Sequence, residues 1–352
     1  MMQNRLHRAV EPLISVHLNK KTFSGAAIAV ARLGAGGYDR CFMNFGSADF
    51  ASSGHKVSGQ TCFDLASLSK PLVTALCIFV LSREEKININ DYAEHYFGLD
   101  GGRFIIEDLL NHCSGLPAHR DFWAVKKLGS FEERKREVFR KIINESLVLE
   151  KQDIYSDLGF ILLGFLIEQV TGTSLDEYWG TTIARPLGLS DRIFFRKNNH
   201  HDFAATGRCP WSGARLCGLV HDDNCRYLGG VAGHAGLFGR SSGVLSLCEV
   251  ILSSYLGEGD FFFGLGNWLK SRENYRWQHG FDTVSPSGSL AGKYFSPSSI
   301  GHLGFTGTSF WLDPEKRIII VLLTNRVING NNPENINKLR PELHDKIMEI
   351  ML

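Results

Sequence analysis

Ser67 and Lys70 lie three residues apart in FDLASLSKPLVTALCIFVL, where a polar stretch gives way to an apolar run. That change predicts the start of a buried helix, and on a helix positions i and i+3 share a face. Ser67 and Lys70 would then point at one place. A serine hydroxyl is a weak nucleophile until a neighbouring base takes its proton. The first helical turn adds free backbone N–H groups and the positive end of the helix dipole. Four residues thus gather a nucleophile, a candidate base and donors for a developing oxyanion. Serine and lysine are common, and the same tetrapeptide also describes a solvated helix start, so other residues must decide.

The elements around this turn follow from hydrophobic patterning. Leu6, Val10, Leu13, Ile14 and Leu18 fall on one helical face, which makes the N-terminus an amphipathic helix and not a signal peptide. GAAIAVARLG and DRCFMNFGSAD read as two strands joined by a Gly-rich turn ahead of Ser67. Residues 86–200 read as helices and loops, broken at CSGLP and RPLGLSD. Strand patterns return near FFFGLGNWL, in HLGFTGTSFWLD and in RIIIVLLTN, and PENINKLRPELHDKIMEIML closes the chain as a second amphipathic helix. Strands near both ends with helices between them predict an α+β fold. One antiparallel sheet, flanked by the N- and C-terminal helices, would span about residues 1–75 and 230–352, with a mostly helical lobe inserted at about 76–229.

Composition narrows the function. Of 352 residues, 43% are hydrophobic and 21% charged, as in an ordinary globular enzyme, and the net charge of +1 gives no electrostatic reason to expect nucleic acid or an anionic membrane surface. The apolar run Pro71–Leu81 is too short to span a bilayer. Eight scattered cysteines without a C-x-x-C pair suit a reducing compartment, so the chain is read as cytoplasmic. Cys209, Cys217 and Cys225 recur every eight residues with His221 nearby, but that spacing is not a known zinc finger, and neither a metal nor a cofactor is expected.

Two further segments stand in the same chain order as a recurring catalytic set. Tyr155-Ser156-Asp157 opens YSDLGFILLGFLIEQVTG, and His302-Leu303-Gly304 opens HLGFTGTSFWLDP. With Ser67-x-x-Lys70 they resemble the three motifs of the serine β-lactamase and penicillin-binding-protein superfamily. The branch is that of class C β-lactamases, D,D-carboxypeptidases and related esterases. IIEDLLNHCSGLP, IARPLGLSD, LGGVAGHAGLFG and GFTGTSFWLDP look like landmarks of that branch, so the resemblance covers about residues 20–327. It implies a cleft between sheet and helical lobe and hydrolysis through an acyl-enzyme on Ser67. Lys70 and Tyr155 would share protons so that one of them accepts from Ser67. The Ser67 and Phe305 N–H groups would form the oxyanion hole. Asp157, His302, Gly304 and His234 would border the substrate, an ester, a β-lactam or a D-amino-acid peptide.

Two positions depart from the pattern. His302 stands where the branch usually carries lysine; histidine is mostly neutral at pH 7 and weakens carboxylate recognition. Asp157 stands in place of asparagine; an ionised carboxylate cannot donate to a substrate amide, and it could instead pair with Lys70, keep that lysine charged and leave Tyr155 as the base. Both tilt the expectation toward esters. They also motivate a second reading, a catalytically weak protein that binds a peptide or β-lactam in the same cleft. His234 is read as either a substrate contact or a loop brace. The adjacent Asp222 and Asp223 are read as capping or solvated acids. No G-x-S-x-G, H-E-x-x-H or P-loop motif offers a rival chemistry.

Overall fold

Strand Gly25–Gly34 pairs antiparallel with Gly37–Gly46 on one side and with Ile318–Thr324 on the other, so the two ends of the chain share one sheet. A computed structural model describes residues 2–51, 54–125, 129–148, 153–195, 202–272, 275–330 and 332–352. The sheet continues through Ser309–Asp313, Ile300–Leu303, Phe281–Thr283 and Trp277–Gln278, giving seven antiparallel strands among the described residues.

Both faces of this sheet are covered, which explains why its central strands read as continuous apolar runs. Side chains alternate across a strand with period two. Ala26, Ile28 and Val30, with Ile318, Ile320 and Leu322, pack under helices Met2–Asn19 and Glu334–Met351. Ala27, Ala29 and Ala31, with Ile319, Val321 and Leu323, face the larger core and helix Ser241–Tyr255. Each fully buried Leu or Ile contributes about 1.5–3 kcal/mol. On the N-terminal helix, Leu6, Val10 and Ile14 are buried.

Helix Asp157–Thr171 buries Leu158, Phe160, Ile161, Leu162, Leu163, Leu166 and Ile167, residues on every side of it, so it forms the centre of the helical layer. Residues Ala66–Arg83 are apolar and long enough to cross a membrane, and 83% of that stretch is buried inside the protein. The strand expected in FFFGLGNWL is instead helix Leu265–Lys270. Phe262, Leu265 and Leu269 are buried at helical spacing while Phe263 is exposed, and a run of three phenylalanines obscured that period. The short strands Ala205–Arg208, Arg215–Cys217 and Leu237–Gly239 also gave no clear sequence signal.

Candidate active site

Ser67 follows a sharp turn. Ala66 has φ +49°, a left-handed conformation unusual for a residue with a Cβ. The buried Asp64 holds the turn: its Oδ1 accepts from Ala66 N–H at 2.9 Å and its Oδ2 from His221 N–H at 2.7 Å. Burial raises the Asp64 carboxyl to about 6. Ser67 then lies in a 3₁₀ turn, Ala66–Leu68, followed by a wide π turn, Lys70–Ala75, and the α-helix Leu76–Arg83. The first turn is therefore not the regular α-helix expected. In a 3₁₀ turn side chains at i and i+3 eclipse, and Lys70 Nζ donates to Ser67 Oγ at 3.0 Å. Ser69 points elsewhere, donating to Ala66 O at 2.7 Å and accepting from Leu237 N–H at 3.2 Å.

Lys70 is fully buried, and Asp157 meets it there. Nζ donates to Asp157 Oδ1 at 2.7 Å and to the His234 carbonyl at 3.4 Å. Asp157 opens its helix behind the cap Ser156, whose Oγ accepts from Gly159 N–H. An anion suits a helix N-terminus. Burial works against both charges, but each holds the other: Asp157, with Tyr155, keeps Lys70 above its ordinary value, and Lys70, with His119, keeps Asp157 below the usual carboxylate range. Tyr155 packs against Lys70, whose Nζ lies 4.8 Å from its ring centroid; burial raises the Tyr155 pKa while Lys70 pulls it down. Rings of His112, Trp277 and His302 surround Tyr155 at centroid distances of 4.6, 5.3 and 5.9 Å.

Strand Ile300–Leu303 and its following turn complete the wall. A Cβ on Gly304 would lie 2.0 Å from Thr308 Oγ1 and 2.9 Å from Leu65 O, so only glycine lets this turn approach the Ser67 turn. Thr306 and Thr308 hydroxyls donate to the carbonyls of Asp64 and Leu65 at 2.7 and 3.1 Å, tying the two turns together. Arg340 donates to Gly304 O and Thr308 O, both at 2.9 Å, and Arg326 donates to Phe305 O. Phe305 itself is half exposed at the cleft.

His302 lines the cleft but cannot serve as a cation for a substrate carboxylate. Its Nδ1 faces Leu303 O at 2.8 Å, so the proton sits there, and Nε2 finds no hydrogen-bond partner among the described residues. Burial first, and Lys70 second, lower it to about 3. A histidine here was expected to be mostly neutral at pH 7; burial carries this further, and the ring is neutral throughout the working range. Arginines that do line the cleft are Arg276, Arg326 and Arg340, the last lowered by burial to about 9 and still charged at neutral pH.

His234 is a brace. It is buried, its Nε2 lies 2.8 Å from Asp222 Oδ1, and it does not line the cleft. Asp222 also caps helix Asp223–Tyr227 by accepting from Cys225 N–H at 2.7 Å, and Asp223 pairs with Arg226. Among the described residues no group of three or more His, Cys, Asp or Glu side chains could hold a metal; Cys217 and Cys225 thiols contact the Phe203 and Ala235 carbonyls.

These residues open onto one cavity of about 630 Å³, whose lining includes Ser67, Tyr155, Asp157, Trp277, His302 and Phe305. Contributors not singled out from the sequence include His112, His119, Trp277, Arg276, Arg326 and Arg340. His112 lies within LLNHCSGLP and His119 just after it, so nearness to that segment was the only available signal. The arginines reach the cleft through tertiary packing alone.

Geometry and comparison agree on the family. The chain belongs to the Beta-lactamase family, whose sequence model matches residues 10–342. A protein of Salmonella gallinarum named "Putative D-alanyl-D-alanine carboxypeptidase" is 31% identical over 322 residues, covering 77% of this chain and 71% of the relative. Among solved structures, EstCE1, a hydrolase with promiscuous acyltransferase activity, superposes with TM-score 0.73 at 19% identity over 96% of this chain and 98% of that one. A class C beta lactamase gives TM-score 0.73 at 15% identity, covering 98% and 99%. An octameric penicillin-binding protein homologue from Pyrococcus abyssi gives 0.71 at 19%, covering 94% and 76%. At these identities the solved structures show the shared fold.

Proposed function

We propose that the protein is a serine hydrolase that works through an acyl-enzyme on Ser67 and prefers esters. The observation that carries this reading is the contact of Ser67 Oγ with Lys70, whose Nζ also lies over the Tyr155 ring, with Ser67 and Tyr155 lining one cavity. Ser67 Oγ attacks the substrate carbonyl while its proton passes to Tyr155. Lys70 is the poorer acceptor because Asp157 keeps it protonated. Its charge stabilises the phenolate that Tyr155 must become. The oxyanion sits against the Ser67 and Phe305 N–H groups, each such donor supplying about 3 kcal/mol. Tyr155 returns its proton to the leaving alkoxide; water then attacks the acyl group by the same route and restores Ser67.

The ester preference rests on Asp157. Paired with Lys70 and ionised, it has no N–H for a substrate amide. Loss of a charged residue at 302 points the same way, although Arg340 and Arg326 offer cations elsewhere in the cleft lining. β-Lactams and D-amino-acid peptides are the other members of the substrate class. The eight thiols, all free, support a reducing compartment such as the cytoplasm.

Intact-mass analysis after treatment with a fluorophosphonate tests the mechanism. One adduct is expected in wild type and none in Ser67→Ala, which should lose at least about a thousandfold in kcat; Ser69→Ala should lose less. Short-chain nitrophenyl esters should exceed benzylpenicillin and a D-alanyl-D-alanine peptide in kcat/KM at pH 7.5. Neither adduct nor turnover would leave the chain as a binding protein using the same cleft. A penicillin kcat/KM above that of every ester would remove the ester preference.

A further inference from the structure

We propose that His119 is a positioning residue. By holding the second oxygen of Asp157 it divides that anion between two cations, and so sets how tightly Lys70 and Tyr155 keep their protons. The inference rests on the acyl-transfer reading above.

His119 Nδ1 lies 3.4 Å from Asp157 Oδ2, while Lys70 takes Oδ1. Its other nitrogen, Nε2, lies 3.3 Å from Asp121 Oδ1. A carboxylate only accepts hydrogen bonds, and a neutral imidazole has one N–H. A ring that faces a carboxylate with each nitrogen is satisfied only as the imidazolium. The hydrogen bond to Asp157 raises His119 to about 9, against the effect of burial, with Asp222 adding to the pull.

The contact is built, not incidental. Asp157 N–H donates to Ala118 O at 2.9 Å and Ser156 Oγ to Pro117 O at 2.8 Å, so the loop before His119 is fixed to the helix start that carries Asp157. Arg120 donates to the His119 carbonyl and pairs with Glu145, and Asn224 Nδ2 donates to Arg120 O at 2.7 Å, anchoring the other side. The ring is half exposed and lines the cavity that holds Ser67.

The groups facing this assembly are few. Lys70 and Tyr155 stand on the nucleophile side, with His112 and His302 kept neutral mainly by burial. Asp121 lies on the same loop as His119; Asp222, Asp223 and His234 come from the segment opposite. Asp157 left to Lys70 alone would hold the lysine proton harder and oppose the phenolate of Tyr155. A second cation on Asp157 offsets both effects. Removing that cation must therefore raise the pH at which the Lys70–Tyr155 pair gives up the proton it has to lose before accepting one from Ser67.

Two readouts test this. The first is an NMR titration of His119, which needs no turnover: it should titrate near 9 in wild type and at least one pH unit lower in Asp157→Asn. The second is the pH–kcat/KM profile for a neutral nitrophenyl ester. In His119→Asn the ascending limb should move up by about half to one unit, a three- to tenfold loss on the limb that closes at alkaline pH. His119→Lys should recover at least half of the shift, and in the Asp157→Asn background His119→Asn should move the limb by less than a third of it. An ordinary imidazole titration in wild type overturns the inference. So does a His119→Asn profile lowered by one constant factor with no rescue by lysine, which marks a packing role. Absence of a Ser67 adduct with the titration result intact would instead overturn the acyl-transfer reading and leave the His119–Asp157 coupling standing.

Discussion

Lys70 carries a charge inside the protein because Asp157 shares its burial. Removing one partner of such a pair costs about 3–5 kcal/mol, since the survivor stays buried without compensation. Asp157→Ala should therefore lower unfolding stability by about that amount in denaturant titrations. Asp157→Asn should cost less, because the amide oxygen can still accept from Lys70. It also removes the charge that keeps Lys70 protonated. The ascending limb of the pH–rate profile should then move to lower pH, opposite in sign to His119→Asn. A limb that stays in place would show that Asp157 does not govern the proton inventory of the site. His302 gives the second test at this scale. With its pKa lowered to about 3, it bears no charge to lose between pH 5 and 8. KM for an anionic substrate should show no step near 6.5 that disappears in His302→Gln. As a group whose folded pKa is depressed below its unfolded value of about 6.5, the buried neutral ring costs the fold stability as pH falls from about 6.5 toward 3. His302→Lys would place a further cation beside Lys70 and Arg340, and a loss of about 2–4 kcal/mol is expected.

At the scale of elements, catalytic geometry depends on two turns meeting: the Ser67 turn with Ala66 at positive φ, and the Gly304–Thr308 turn. Thr306 and Thr308 hold one to the other, and Gly304 leaves the room for it. Gly304→Ala must push Thr308 or the Leu65 carbonyl aside. We expect stability to fall by about 1–3 kcal/mol and kcat to fall by about a hundredfold, because an ångström of displacement separates the Phe305 N–H from the oxyanion. Thermal unfolding and ester turnover measured on the same preparation check this; full activity would show that the turn tolerates a Cβ. This scale also shows what could be read before the structure. Ser67, Lys70, Tyr155 and Asp157 were legible because each sits at a polar-to-apolar boundary and their order along the chain resembles a recurring motif set; helix Asp157–Thr171 followed, whereas Ser67 lies in a 3₁₀ turn leading into a π turn. The pairing of Lys70 with Asp157 was legible as an option, since an acid stood where an amide was expected. That His302 stays neutral far below pH 6.5 was not, because it comes from burial beside Lys70, which spacing does not encode. His119 and Arg340 were missed for the same reason: their roles are contacts between loops and helices far apart in sequence. In FFFGLGNWL a cluster of aromatics hid helical periodicity, and tertiary burial of Phe262, Leu265 and Leu269 decided the matter.

For the whole molecule, the chain closes on itself through the sheet. Residues 26–32 pair with 318–324, and the terminal helices lie together over the same face. Ser309–Asp313, next to Ile318–Thr324, leads directly to the strand that carries His302. Damage to the sheet centre should therefore be felt at the site and in the global fold at once. Ile320 is fully buried between the terminal helices and the central strands, opposite Val30 and Trp311 in register. Ile320→Ala removes a buried side chain and leaves a cavity that β-strands close poorly, at a cost of about 2–5 kcal/mol. It lies on the face away from Ser67, so kcat under native conditions should change by less than about threefold. The unfolding midpoint should fall, and loss of ester turnover, tryptophan fluorescence and far-UV signal should coincide along the denaturant axis, as expected of one cooperative unit. Activity lost well before the fluorescence change would mean that the helical segments bearing Lys70 and Asp157 unfold apart from the sheet. The coupling through shared strands would then be too weak to make the site a property of the whole fold.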